Sequence, residues 1–171
     1  MGNGTEQVED LGSLVKLPVD LNLRMLDLAS FFLGVKESGQ NQGSIIETFQ
    51  RAVDGVAQGE SWCLALLQYL ALETSKVHQY PVDLPKTESV HNFWNKVKDK
   101  HKVLTPKPGH WVFWDMDNGK GHCGIIRQII SVNMITIEGN TMLDKIEGVF
   151  MKSKSLSGKK ILGFIKVFHT N

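Results

Sequence analysis

The hydrophobic pattern of the chain changes its period once, near Pro108, and that change limits the fold more than any other feature. Before it, apolar residues recur at three- and four-residue steps, as amphipathic helices require. Leu23, Leu26, Ala29 or Ser30, and Leu33 predict a helix over 21–35, closed by Gly34. A loop rich in Gly, Ser and amides over 37–44 separates it from a short helix carrying Ile45, Ile46, Phe49 and Val53. Ser61-Trp62-Cys63 opens the next, over 64–73, with no Gly or Pro inside and Ser61 as the candidate N-cap. A further helix is predicted over 90–100, bounded by Pro81 and Pro85 before it and Pro106 after it. Beyond Pro108, runs rich in β-branched and aromatic residues predict strands over 110–114, 122–130, 134–138 and 161–168. The turns at 115–121 and 131–133 are short enough for antiparallel hairpins. The Lys-rich stretch 152–160, with Ser and Gly interspersed, is expected as a solvated loop. Helices first and strands second is α+β organisation, N-terminal helices packed on a C-terminal antiparallel sheet. Neither G-x-G-x-x-G nor a Walker-type loop is present, so phosphate cradling has no support.

A length of 171 residues suits one domain, with 1–20 as an N-terminal extension and 21–171 as the folded unit. Nineteen Lys and Arg against 18 Asp and Glu leave no global field toward nucleic acid or an anionic membrane, and neither partner is expected. The first 20 residues lack the charged and apolar regions of an export signal, so synthesis in the cytoplasm is expected. Only two cysteines occur, Cys63 and Cys123, too few for a disulfide framework.

Cys63 falls in the first turn of its predicted helix, where free N–H groups and the helix dipole favour a thiolate. Its bland reading is a small buried hydrophobe. His122 starts a strand between Gly121 and Gly124, and Glu138 closes the next strand sixteen residues on. A hairpin of that length sets a strand start beside a strand end, which brings Glu138 beside the imidazole. Alternation places Met134, Thr136 and Glu138 on one face and Ile135 and Ile137 on the other. The expected roles are Cys63 as nucleophile, His122 as general base and then acid, and Glu138 as the group that orients it, with Asn140 supporting the same ring. The Cys63 N–H, with the Ser61 hydroxyl or the Gln58 amide, is a candidate oxyanion hole. Cys123, next to His122 on its strand, is expected to point away as a core thiol. Zinc-type spacings and a complete calcium loop are missing, and no metal or cofactor is expected.

Three blocks resemble the CHAP family, the cysteine, histidine-dependent amidohydrolases and peptidases of bacterial cell walls. They are Leu33-Gly34-Val35-Lys36-Glu37 followed by Asn41, the Ser61-Trp62-Cys63 helix, and Gly121-His122-Cys123-Gly124 with Glu138-Gly139-Asn140. The resemblance implies a papain-like fold, a thioester intermediate and peptidoglycan as the partner, and it carries over Cys63, His122, Glu138 and Asn140 as the active set. Glu37, Asn41, Trp62 and Trp111 are the candidate substrate-binding residues. A phage-type lysin is implied, monomeric, reaching the wall after release or within a particle. Two departures stand out: Gly109-His110 where many members have Gly-Asp, and Cys123 where Val is usual. They leave room for a wall-binding or immunity module without catalysis, and the triad alone fits equally a thiol protease or toxin acting on proteins.

Overall fold

A computed structural model describes residues 19–158 and 160–169. The expected extension 1–20 lies outside the described residues except for Val19 and Asp20. Four α-helices precede an antiparallel six-stranded sheet, the α+β organisation that the change of period implies.

Asp20 caps α1 (Leu21–Phe31) by accepting the Asn22 backbone N–H at 2.9 Å. The helix stops four residues short of the predicted Val35. Gly34 turns the chain at φ +85°, and Gly34 and Val35 then exchange backbone hydrogen bonds with Val149. Helix α2 (Ser44–Asp54) closes on Gly55 in the left-handed conformation. Helix α3 (Cys63–His78) is longer than predicted: it runs past Glu73 until Gln79 takes the left-handed region. Its N-cap is Trp62 without a side-chain bond, and the exposed Ser61 does not serve. Ser89 caps α4 (Val90–Lys96), which ends before a separate 3₁₀ turn at Asp99–His101 and so falls short of Lys100.

The strands are β1 (Lys102–Val103), β2 (Trp111–Asp115), β3 (Gly121–Ile130), β4 (Asn133–Leu143), β5 (Ile146–Ser155) and β6 (Ile161–Ile165), in spatial order β1-β6-β2-β3-β4-β5. Two of them were not expected. β5 takes in a stretch for which no element is expected, 146–151, and then the first four residues of the expected solvated loop, and pairs with β4 from Asn133↔Ser155 to Leu143↔Ile146. Alternating Lys and Ser are what an edge strand carries to discourage pairing with other chains, and they hid its strand character. The other, β1, is two residues long and too short for any periodicity.

Alternation along the strands builds two clusters. Trp111, Phe113, Cys123, Ile125 and Ile137 join residues of all four helices in the main core. Val112, Trp114, Ile126 and Met134 form a smaller cluster on the opposite face. No described helix is long and apolar enough to cross a membrane.

Candidate active site

Cys63 is the first residue of α3, packed in the main core with only 4 % of its surface exposed. N–H groups in the first helical turn have no intrahelical acceptor, so their positive ends gather at this thiol. His122 and Glu138 stand on neighbouring strands, and His122 Nε2 lies 2.9 Å from Glu138 Oε2. That bond leaves Nδ1 for the Cys63 sulfur, which the imidazole also contacts. Trp114 stacks on the ring from the paired strand, centroids 5.8 Å apart and planes 20° from parallel. The ring is thereby held between an aromatic face, a carboxylate and a thiol.

Glu138 is fully buried, and a buried carboxylate survives only if its oxygens are bonded. Thr136 donates to Oε1 at 2.6 Å, His122 meets Oε2, and the Lys154 ammonium lies 3.8 Å from Oε2. Gly124 makes room for this carboxylate: a Cβ there would sit 2.8 Å from Glu138 Cγ and 3.0 Å from the Ile137 carbonyl oxygen. Burial raises the affinity of Glu138 for a proton, but the hydrogen bond and charge of His122, with Thr136 and Lys154, bring its pKa below the ordinary value. Burial likewise works against the imidazolium. The Cys63 sulfur and Glu138 outweigh it and raise His122 to about 9. The Cys63 thiol is drawn well down by contact with the Cys123 thiol, then by the His122 ring and the Cys123 backbone N–H, against the effect of burial. A thiolate beside an imidazolium is the charge state these contacts favour.

Asn140 does not support the ring. Its Oδ1 accepts the Trp62 backbone N–H at 3.3 Å and its Nδ2 donates to Asn41 Oδ1 at 2.9 Å. The cause is a bulge in β4 between Glu138 and Thr141, which sets Asn140 at φ +51° and turns its amide toward the start of α3. Gly139, in the same bulge, lets the sheet close on that helix: a Cβ there would lie 2.7 Å from the Trp62 ring. Asn41 also donates to the Gly59 carbonyl at 2.9 Å, so these amides knit the loop ahead of Cys63.

The two tryptophans expected to line a cleft do not. Trp62 is fully buried with its indole N–H on Glu37 Oε2 at 3.2 Å. Trp111 is fully buried in the core with its indole nitrogen unpartnered. The Glu37 backbone N–H donates to the Glu147 carbonyl at 3.1 Å, and the nearby Glu37 carboxylate raises the pKa of the Glu147 carboxyl. Glu37 and Asn41 therefore sit near the start of α3 with side-chain atoms engaged by the protein itself. Of the expected oxyanion partners, Ser61 and Gln58 are both exposed, and the Gln58 backbone N–H donates to the Glu60 carboxylate at 2.7 Å. His110 is buried at the far end of β2 from Trp114, its pKa lowered to about 4 by burial and by nearby Lys166.

Three participants were missed. Trp114 lies on the opposite face of β2 from Trp111, as alternation along a strand requires. Thr136 was on the Glu138 face by alternation, and its hydroxyl was a ready donor. Lys154 was lost with the unrecognised edge strand. Cys123 faces opposite to His122 and lies in the core as expected, yet that direction leads toward α3, so its thiol contacts Cys63 and belongs to the site. Among the described residues, no group of three or more His, Cys, Asp or Glu side chains is arranged to hold a metal ion. No family model, curated protein or solved structure matches the chain.

Proposed function

We propose that the chain is a papain-like cysteine hydrolase that cleaves an amide or peptide bond of bacterial peptidoglycan through a thioester. The observation that carries the reading is a helix-initiating Cys63 in contact with His122, whose other ring nitrogen is 2.9 Å from the buried Glu138. Cys63 is the nucleophile, His122 the proton carrier and Glu138 the group that fixes the ring. The thiolate attacks the substrate carbonyl carbon, and the oxyanion that forms faces the N–H groups at the start of α3. His122 gives its proton to the leaving nitrogen as the C–N bond breaks. The neutral ring then takes a proton from water, hydroxide attacks the thioester, and the C–S bond breaks to restore the thiolate and imidazolium.

The wall substrate rests on the likeness of the Cys63, His122 and Glu138 blocks to CHAP enzymes, and with it the action of the protein after phage-type release or within a particle. The test uses purified sacculi. Wild-type protein is expected to clear them, and Cys63→Ser to lose about 10³-fold or more of that activity while keeping its fold. Mass spectrometry of the released fragments assigns the bond from its new termini, separating an N-acetylmuramoyl-L-alanine amidase from an endopeptidase. Undiminished clearing by the Ser variant overturns the mechanism. Cleavage of protein substrates with sacculi left intact overturns the substrate.

A further inference from the structure

Cys123 forms no bond and carries no proton in the proposed hydrolytic cycle, yet it is fully buried in the core where α3 begins. Strand alternation sends it from β3 toward the helices, opposite to His122, and α3 begins there with Cys63. Both cysteines are buried in the same core cluster where α3 packs on β3, close enough for each thiol to shift the other's proton affinity; both are free thiols, and the chain contains no other cysteine. Valine would fill a core position on a strand without any reactive group, so the thiol adds chemistry that packing does not require.

We infer that Cys63 and Cys123 form a peroxide-responsive dithiol, in which oxidation of the nucleophile is resolved by Cys123 into a reversible intramolecular disulfide. The first step is attack of the Cys63 thiolate on one oxygen of hydrogen peroxide. The O–O bond breaks, Cys63 becomes a sulfenic acid, and the departing hydroxide takes the His122 proton and leaves as water. The Cys123 sulfur then attacks the Cys63 sulfur. An S–S bond forms, the S–O bond breaks, and the hydroxyl leaves as water with the Cys123 proton. Two thiols are oxidised and one peroxide is reduced to two waters. An S–S bond of about 2.0 Å is much shorter than any non-bonded sulfur contact, so the closure draws Cys63 toward β3 and occupies the nucleophile. Further oxidation of Cys63 to sulfinic and sulfonic acids is irreversible, and a thiol in contact intercepts the sulfenic acid before it reaches them.

The measurement is the intact mass of the full chain before and after hydrogen peroxide, followed by peptide mapping, and it needs no activity. Expected are loss of the mass of two hydrogens, loss of both free thiols, a crosslinked peptide pair containing Cys63 and Cys123, and full return with dithiothreitol. In Cys123→Ser, which keeps a polar group of similar size, and in Cys123→Val, the same dose is expected to add oxygen atoms to Cys63 irreversibly. Oxygen addition to Cys63 in the wild type with Cys123 left free overturns the inference, as does resistance of both thiols to peroxide. A disulfide in a protein that clears no sacculi leaves the dithiol standing and removes only the hydrolase reading. Clearing activity, if present, is expected to fall at least about 10-fold with the disulfide and to return on reduction.

Discussion

The Cys63–His122 contact has a signature in pH. The imidazole of an unfolded chain titrates near 6.5, and in the folded protein His122 holds its proton to about 9. Its contribution to stability is therefore fully present below 6.5 and is lost as pH rises through 9. The thiol has the opposite sense: its pKa is lowered by folding, so its contribution is present above the unfolded value and is lost as pH falls through the folded one. Between these limits the pair is thiolate and imidazolium. Iodoacetamide labelling of Cys63, followed by peptide mapping to separate it from Cys123, is expected to persist at pH values well below those that a free thiol needs. In the otherwise unaltered chain, His122→Ala is expected to move the Cys63 labelling midpoint upward by at least about one unit, because the partner charge is gone. An unchanged midpoint would sink the contact as the source of reactivity. His122 and Glu138 were legible because a hairpin and a period of two are enough to bring them together. Trp62 and Trp111 were misread because sequence places an aromatic on a face but does not say whether that face meets a core or a cleft.

At the scale of elements, the β4 bulge is what couples the sheet to the start of α3. Asn140 takes one bond from the Trp62 backbone and gives another to Asn41, fastening the start of α3 and the loop before it to β4. Asn140→Gly keeps the left-handed backbone and removes only the amide. It is expected to cost about 1–2 kcal/mol in chemical denaturation and to lower turnover several-fold without moving the pH profile. A displaced pH profile would instead assign Asn140 to the ring, as the sequence suggested. Bulges of this kind leave little trace in sequence, since one inserted residue looks like ordinary alternation on either side. The helix ends show the same limit. Nothing in the apolar spacing of 21–35 says that Gly34 and Val35 will leave α1 to bond Val149 on β5. The order of helices and hairpins was legible because it rests on period alone; β5 was not, because Gly148 interrupts its apolar first half and the Lys and Ser of its second half match a loop.

For the whole molecule, the two ends of the described chain meet at Asn22. Its side chain, 1 % exposed, donates to the Phe168 carbonyl at 2.8 Å and accepts the Val167 and Phe168 N–H groups at 3.1 and 3.0 Å. Asn22→Ala leaves three buried backbone groups without their partner. The expected cost is about 3 kcal/mol, read as a lower denaturation midpoint with an unchanged slope, whereas a change below about 0.5 kcal/mol would mean that the strap is not needed. The strand order has a consequence during synthesis. β6 fills the gap between β1 and β2, but it is made after the meander from β2 to β5. While β6 is still unmade, β2 and its aromatic residues present an open hydrogen-bonding edge. A nascent chain thus already holds Cys63, His122 and Glu138 while its sheet still has a sticky margin, and β6 is the seal that keeps β2 of one copy from adding to another.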